Sequence, residues 1–363
     1  MKKIHIDIQP KEESFCSPDR PLIISGPCSA ETEEQVLQTA RAIVTETPEV
    51  SLFRAGIWKP RTRPGSFEGI GTPALRWMQR VKKETGLRTT IEVGSAHHVE
   101  QALAHEIDVL WLGARTTVNP FSVSEIAEAL RGVDIPVFVK NPLNPDLQLW
   151  VGALERLNSV GLRQLAAIHR GFSVGEHKKF RNPPHWQIPI QLKMTVPELP
   201  LICDPSHICG QRDTLAEIAQ KAMDLGMDGL MIETHPDPGN ALSDQDQQLT
   251  PGDLKVLISR LRTRRMHDLA SNADHKLGLF RDEIDEIDND LLYTLSRRFR
   301  VLEDIARIKK DHDMQILQPE RWNQLINNIG RMAEELDLDA QVVQEIYKQI
   351  HHQSMRYQAT VMR

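Results

Sequence analysis

Eight short apolar runs recur along the first 234 residues of the chain, and most of them precede a segment of helical character. Their apolar residues are nearly continuous, which is typical of parallel strands buried on both faces. The runs lie at residues 21–26, 51–56, 89–94, 109–114, 136–141, 164–169, 199–204 and 229–234. The predicted helices lie at 32–46, 73–85, 97–106, 123–131, 147–160, 211–226 and 251–263. Eight such units predict an α/β fold, the (β/α)8 or TIM barrel, over residues 1–265.

The strand pattern stops after residue 265, and only helical periodicity remains. Apolar residues there recur at steps of three and four, as in amphipathic helices. The three predicted helices span residues 277–311, 319–335 and 339–360. We therefore expect a linker at 266–274 and an all-α domain at 275–363. Three helices cannot bury a wide core alone, so we expect this domain to form a homodimer.

The composition excludes several classes of protein. The chain has 363 residues and a formal net charge of −6, with no basic stripe of the kind that binds nucleic acid. No apolar run reaches the roughly 18 residues of a membrane span. The four cysteines, at positions 16, 28, 203 and 209, form no C-x-x-C pair, which favours free thiols. We expect a cytoplasmic protein without nucleic-acid or membrane partners.

Catalytic groups of barrel enzymes lie at the carboxyl ends of the strands, and this chain delivers two chemical sets there. The first contains ligand types for a divalent transition metal: Cys28, Asp204, His207, Glu233, His235 and Asp244. The second can hold phosphates and carboxylates: Arg54, Lys59, Arg61, Arg115, Lys140 and Arg170. A metal beside a multi-anion cradle indicates a reaction of small phosphorylated substrates at a polarised carbonyl.

Each of these residues has an ordinary structural explanation when it is taken alone. A single cysteine after a strand is more often a small core residue than a ligand. A single arginine at a strand end is often part of a surface ion pair. The functional hypothesis gains weight because all these groups follow strands of one predicted barrel.

Six motifs carry a resemblance to a known family. They are "GPCSAE", "KPRTRPGSFEG", "GAR", "HRG", "DPSHICGQR" and "GLMIETHPDPGNALSD". In order and spacing they resemble the short-barrel 3-deoxy-D-arabino-heptulosonate 7-phosphate (DAHP) synthases. That resemblance implies condensation of phosphoenolpyruvate with erythrose 4-phosphate, with release of phosphate, in the shikimate pathway of aromatic amino acid biosynthesis.

The resemblance also implies roles for individual residues. The ligands of a divalent metal (manganese, iron, zinc or cobalt) would be Cys28, His207, Glu233 and Asp244. Phosphoenolpyruvate would be held by Arg54, Lys59, Arg115, Lys140 and Arg170, with Lys59 also catalytic. Arg61 and Thr62 of "KPRT" would meet the sugar phosphate. Octulosonate phosphate synthases are the alternative, since they share the barrel but use arabinose 5-phosphate; "KPRT" favours erythrose 4-phosphate.

The helical domain carries a second set of charged residues. Arg298 and Lys309 are eleven residues apart, so they lie within about 20° of each other on a helix. Arg281 lies about 100° away from Arg298, which suits a pocket of a partner subunit better than one of its own. Solvated charges on an exposed helix are the simpler explanation of any one of these residues.

The stretch "LFRDEIDEIDNDLLYTLSRRFRVLEDIARIKK" resembles the first helix of the all-helical chorismate mutases. The match implies a dimer that rearranges chorismate to prephenate. Carboxylates would be bound by Arg281 of the partner subunit, Arg298 and Arg321, with Ser354 also in the site. Lys309 and Gln358 would be catalytic, stabilising charge on the breaking ether oxygen.

Two positions depart from that family. Gln318 and Trp322 occupy places where well-known members have acidic residues that bind the substrate hydroxyl. The alternative is therefore a domain that mainly senses chorismate or prephenate and dimerises. In either case we expect feedback inhibition of the synthase, with prephenate as the inhibitor, because only about 20 residues precede the first strand and leave no room for an N-terminal sensor domain.

Overall fold

The computed structural model describes residues 6–8, 20–59, 67–175, 179–262 and 272–362. The chain divides into two compact units, Met1–Met266 and His267–Arg363. The first unit is a closed barrel of eight parallel strands, and the second is helical. The predicted fold class is confirmed.

The strands run in sequence order around the barrel, and β1 closes it by pairing with β8. They are β1 Leu22–Gly26, β2 Val50–Ala55, β3 Arg88–Val93, β4 Val109–Leu112, β5 Val137–Lys140, β6 Leu165–His169, β7 Leu201–Cys203 and β8 Gly229–Glu233. Each predicted run agrees with the observed strand to within two residues at either end. At the closing seam Gly26 is in register with Glu233, so the loops after β1 and β8 leave the barrel side by side.

The helices of the first unit are α1 Glu33–Glu46, α2 Pro73–Thr85, α3 Ala96–Ala104, α4 Ala114–Thr117, α5 Pro120–Ala129, α6 Leu147–Ser159, α7 Gln187–Thr195, α8 Pro205–Cys209, α9 Leu215–Asp224 and α10 Pro251–Arg260. Three of them, α4, α7 and α8, were not predicted. They have at most nine residues, too few for a helical period to be recognised, and α7 contains an interior proline.

Alternation along the strands separates two apolar layers. Ile23 faces the surrounding helices, whereas its neighbour Ile24 belongs to the barrel interior. The interior is filled by Leu22, Ile24, Leu52, Val109, Trp111, Phe138, Ala166, Ile168, Ile202 and Met231. The barrel is therefore a packed core, and Trp111, near the carboxyl end of β4, is its largest interior side chain.

The second unit contains three helices in its described part: α11 Asn272–Asp311, α12 Pro319–Glu335 and α13 Ala340–Met362. The carboxyl-terminal part of α11 packs along α13, with Leu302 and Ala306 buried. Leu291 lies on nearly the same helical stripe as Leu302, eleven residues earlier, yet it is 57% exposed. The same apolar stripe is thus covered at Leu302 and exposed at Leu291, near the middle of α11. No helix in the described part of the chain is long and apolar enough to cross a membrane.

Candidate active sites

A thiol and two carboxylates converge at the carboxyl end of the barrel. One ligand atom each from Cys28, Glu233 and Asp244 lies within 4.8 Å of the others. Cys28 follows β1 by two residues, and Glu233 is the last residue of β8. The loop after β8 folds back because Thr234 pairs with Leu249, which returns Asp244 to the mouth. Asp244 has a left-handed backbone (φ 50°), which aspartate tolerates better than most residues.

Glu233 is fully buried and held from two sides. Its Oε2 accepts a hydrogen bond from Gln247 Nε2 at 2.7 Å. Its Oε1 lies 3.2 Å from Arg54 Nη1 and 3.7 Å from His207 Nε2, yet it accepts no hydrogen bond from any described residue. Burial alone would raise the pKa of Glu233, but His207 and Arg54 outweigh burial and lower it. Glu233 is therefore a buried carboxylate with one oxygen still available.

These residues fit a divalent transition metal. A thiol, an imidazole and two carboxylates are the donor types such ions prefer, and one carboxylate oxygen of Glu233 lies within 4.8 Å of the Cys28 and Asp244 ligand atoms. His207 lies beside Glu233, outside the group of three whose ligand atoms are all within 4.8 Å. The structure thus brings Cys28, Glu233 and Asp244 together, and places His207 at their edge.

Asp204 positions His207. It caps α8, accepting from the His207 backbone N–H at 3.1 Å, and its Oδ2 lies 2.8 Å from His207 Nδ1. The same Oδ2 accepts from Lys140 Nζ at 2.8 Å. Burial would raise the pKa of Asp204, but His207 and Lys140 hold it well below its ordinary range. The buried Asp204 carboxylate thereby fixes both a candidate ligand and a candidate anion-binding lysine.

The ammonium group of Lys59 lies in direct contact with Cys28. Its Nζ lies 2.8 Å from the Cys28 carbonyl oxygen and 3.0 Å from the thiol Sγ. Burial, followed by the charge of Glu233, raises the pKa of Cys28 to about 12. A nearby ammonium favours the thiolate form, which is also the form that binds metals. Lys59 therefore contacts one of the candidate metal ligands directly.

The predicted cations are distributed around this mouth. Arg54 and Lys140 are both buried. Arg54 Cζ lies 5.0 Å and Lys140 Nζ 5.8 Å from the centre of the Trp111 ring, which forms the floor of the site. Arg170 is buried, with its backbone N–H bound to Asn141 Oδ1 at 2.7 Å; burial lowers its pKa to about 10. Arg115 lies at the start of α4 with its side chain exposed. Arg61 and Thr62 lie outside the described residues.

Sequence reasoning missed three residues of the mouth. Arg181 Nη1 binds Asp244 Oδ1 at 2.7 Å and Gln247 Oε1 at 3.0 Å. Arg181 and Gln247 lie in long loops, where the sequence carries no period to indicate direction. Trp111 could have been found, since a large aromatic residue near a strand end of a small barrel must face either the helices or the mouth.

Four of the predicted residues of the helical unit, Arg298, Lys309, Ser354 and Gln358, lie on the packed helices α11 and α13 and are called the mutase cluster. Arg298 Nη1 donates to Ser354 Oγ at 2.6 Å, and Lys309 Nζ donates to the carbonyl of Ile316 at 2.7 Å. Lys309, Ser354 and Gln358 are buried, and Gln358 Oε1 has no hydrogen-bond partner within the described part of the chain. Arg281 and Arg321 are exposed and are not part of this cluster in the single chain.

Two further residues, unpredicted as a pair, adjoin this cluster. His351 of α13 stacks on Trp322 of α12, with ring centroids 4.0 Å apart and planes 20° apart. Burial lowers the pKa of His351, and the charges of Arg298 and Lys309 lower it further. Gln318 is exposed at the N-cap of α12 and makes no side-chain capping bond.

Comparison with known proteins agrees with the geometry of the barrel. The model of the DAHP synthetase I family matches residues 5–265, more than half of the chain. The chain belongs to the DAHP synthetase I family. A phospho-2-dehydro-3-deoxyheptonate aldolase of Thermotoga maritima is 28% identical over 240 residues, covering 66% of this chain and 68% of that protein. This chain is also similar to enzymes that act on an eight-carbon sugar acid. A 2-dehydro-3-deoxyphosphooctonate aldolase of Geotalea daltonii is 29% identical over 262 residues, covering 67% of this chain and 92% of that protein.

Superposition on solved structures supports the same family assignment. The crystal structure of the Thermotoga maritima DAHP synthase superposes with a TM-score of 0.62 at 26% identity, covering 70% of this chain and 72% of that one. A truncated form of the Thermotoga maritima enzyme gives a TM-score of 0.57 at 25% identity, covering 66% and 84%.

The helical unit matches a second family model, chorismate mutase type II, over residues 280–359. The chain thus joins a DAHP synthase domain to a chorismate mutase domain and is a bifunctional enzyme of the shikimate pathway. The two domains imply phosphoenolpyruvate, erythrose 4-phosphate and chorismate as substrates. Octulosonate phosphate synthesis is the minor alternative for the barrel.

Proposed function

We propose that the barrel holds a divalent metal through Cys28, His207, Glu233 and Asp244 and condenses phosphoenolpyruvate with erythrose 4-phosphate beside it. The convergence of the Cys28, Glu233 and Asp244 ligand atoms within 4.8 Å carries this proposal. Such a metal, when bound, polarises the aldehyde oxygen of the sugar phosphate. Its identity among manganese, iron, zinc and cobalt depends on availability as well as affinity.

The residues of the chain bind and orient the anionic substrate. Arg54 and Lys140 approach the Trp111 floor, so they can bind a planar carboxylate or a phosphate resting on it. Arg170 and Arg115 extend the positive surface outward. Lys59, anchored to the Cys28 carbonyl, lies where it can donate a hydrogen bond to a substrate oxygen beside the metal cluster. These contacts hold phosphoenolpyruvate in one orientation relative to the aldehyde.

The sugar acceptor is tested by phosphate release from phosphoenolpyruvate. The enzyme, loaded with Mn²⁺ after removal of bound metal, is assayed with erythrose 4-phosphate and with arabinose 5-phosphate. We expect turnover with erythrose 4-phosphate only. Preferential use of arabinose 5-phosphate would instead assign the barrel to octulosonate phosphate synthesis.

For the helical unit we propose a site that binds chorismate and rearranges it to prephenate. Arg298 and Arg321, with Arg281 of a second copy, would bind the carboxylates, and Ser354 orients Arg298 through its 2.6 Å hydrogen bond. Lys309 and Gln358 would stabilise negative charge on the ether oxygen as the bond breaks. The free, buried Gln358 Oε1 indicates that this amide still has hydrogen-bonding capacity for a ligand.

The partner is proposed to be a second copy of this chain, joined through α11. Three apolar residues of α11 recur at three- and four-residue steps and are 52–57% exposed: Ile284, Ile287 and Leu291. Burying an apolar stripe of this kind contributes about 25 cal/mol per Å². Light scattering should therefore give at least twice the mass of one chain, and Leu291→Asp should reduce it. A monomeric wild-type chain would contradict the proposal.

We further propose that prephenate binding to the helical unit inhibits the barrel. Coupling of this kind requires prephenate to bind two arrangements of the protein with different affinity. Removing residues 263–363 should leave a synthase that no longer responds to prephenate. Unchanged inhibition after this truncation would place the regulatory site in the barrel.

A further inference from the structure

His351 lies on the ligand-facing stripe of α13. It precedes Ser354 by three residues and Gln358 by seven, so the three side chains follow one face of the helix. Ser354 binds Arg298, and the charge of Lys309 acts on the His351 ring. His351 therefore extends the chorismate site of the proposed function by one helical turn, toward α12.

Trp322 fixes the direction of this imidazole. The rings stack face to face at 4.0 Å, with an angle of 20° between their planes. An imidazole held by one face can rotate little without losing the stacking contact, which stabilises this orientation beyond simple burial. The hydrogen-bonding edge of His351 is thus held in place before a ligand binds.

The edge that Trp322 orients is unpaired. His351 Nε2 is shielded from solvent and makes no hydrogen bond with any described residue, and the same holds for Gln358 Oε1. A buried polar atom without a partner loses its hydrogen bonds to water and gains none in return, so such atoms are uncommon outside functional sites. Arg298 and Lys309, in contrast, already have partners. Two unpaired atoms on one face of α13 indicate where a ligand supplies hydrogen bonds.

The charge of the neighbours selects the kind of ligand group. Burial and the nearby cations lower the pKa of His351, so the ring is neutral at pH 7. A neutral imidazole pairs well with a hydroxyl, because it can accept the hydroxyl proton or donate its own. The carboxylates of chorismate are better matched by the arginines that the proposed function assigns to them, and its ether oxygen by Lys309, which leaves its ring hydroxyl for His351.

We propose that His351, held by Trp322, determines specificity in the mutase site by forming a hydrogen bond from Nε2 to the ring hydroxyl of chorismate. This inference rests on the proposed mutase function. It assigns Trp322 as a positioning residue, which acts on the ligand only through the imidazole.

The test combines variants with two ligands, using the full-length enzyme. His351→Leu, His351→Gln and Trp322→Leu are compared with His352→Leu, a control at the exposed neighbouring histidine. Each is given chorismate and a chorismate analogue that lacks the ring hydroxyl. Turnover gives kcat and KM, calorimetry gives Kd, and a thermal melt checks folding.

Wild-type enzyme should prefer chorismate over the analogue by about tenfold to a hundredfold. His351→Leu should remove most of that preference by weakening chorismate alone, His351→Gln should retain part of it, and His352→Leu should change nothing. Trp322→Leu should reduce the preference less than His351→Leu does. A folded His351→Leu enzyme that keeps the full preference in KM and Kd would overturn the proposal.

Failure of the mutase function itself would look different. In that case wild-type enzyme does not convert chorismate, and the preference is read from Kd alone. A preference in Kd that His351→Leu removes supports the hydrogen bond even in a domain that only binds chorismate. Binding of both ligands with equal affinity by the wild type would refute it.

Discussion

The two sites pair their charges in different ways. In the barrel, buried cations face buried anions: Arg54 lies beside Glu233, and Lys140 beside Asp204. In the helical unit, the observed partners of Arg298 and Lys309 are a hydroxyl and a carbonyl, both neutral. Two buried cations of the barrel mouth are thus already paired with buried carboxylates, whereas the observed partners of the mutase cations are neutral and leave their positive charge available for an anionic ligand.

This difference has consequences for what each site needs. Buried charges stay ionised only when they are paired, so the barrel can hold a dense set of them within its rigid strands. The helical unit, in contrast, still exposes apolar residues such as Leu291. We infer that the synthase site is organised by the single chain, and that the mutase site is completed by its ligand and a second copy.

Replacing Cys28, the proposed metal ligand, should give the largest difference between the activities of the two sites. Cys28→Ser replaces a soft thiolate by a hydroxyl that rarely ionises, so tight metal binding and synthase activity should be lost, by about a thousandfold or more. Metal content and phosphate release measure the loss, and chelation of wild-type enzyme should reproduce it. Chorismate conversion, which needs no metal, should persist. A metal-loaded, fully active serine variant would return Cys28 to the role of a core residue.

Neutralising Lys309 is the reverse experiment. Lys309→Met keeps the length of the side chain but removes the charge opposite the ether oxygen, so mutase kcat should fall by about a hundredfold to a thousandfold. The control is Lys310→Met, since Lys310 is adjacent and exposed. Equal losses in both variants would show that helix stability, rather than the buried charge, is responsible.

The strand ends were predictable from the sequence, whereas the contacts between loops were not. Cys28 and Glu233 follow or end strands whose positions the apolar runs indicate, so their meeting at one edge follows from the barrel alone. Asp244 required the fold-back that pairs Thr234 with Leu249, and Arg181 required a loop with no regular period. Likewise, the stacking of Trp322 on His351 joins two helices whose relative rotation the sequence does not specify.

Loosening the support of Asp244 should have a smaller effect than removing a ligand. Arg181→Met breaks the 2.7 Å contact to Asp244 Oδ1 and leaves the three closest ligand atoms in place. Residues that orient ligands typically contribute tenfold to a hundredfold in metal affinity, and we expect a loss of that size. Titration with Mn²⁺ while following synthase activity measures it. Arg163→Met is the control, because Arg163 pairs with Asp7 before β6, at the opposite end of the barrel.

The floor of the barrel mouth should give the smallest change and the finest test of how the paired charges meet a substrate. Trp111→Phe keeps an aromatic surface beneath Arg54 and Lys140 but removes the indole N–H that binds Glu92 Oε2 at 3.2 Å. A weaker ring quadrupole and one lost hydrogen bond amount to about 1 kcal/mol, or about fivefold in the KM for phosphoenolpyruvate, with kcat nearly unchanged. Trp150→Phe removes an equivalent bond, to the Val139 carbonyl, in the outer apolar layer. Trp150→Phe should therefore lower the melting temperature and leave the KM for phosphoenolpyruvate unchanged. If both variants changed that KM equally, general loosening of the barrel, rather than contact with the cations, would set the substrate affinity.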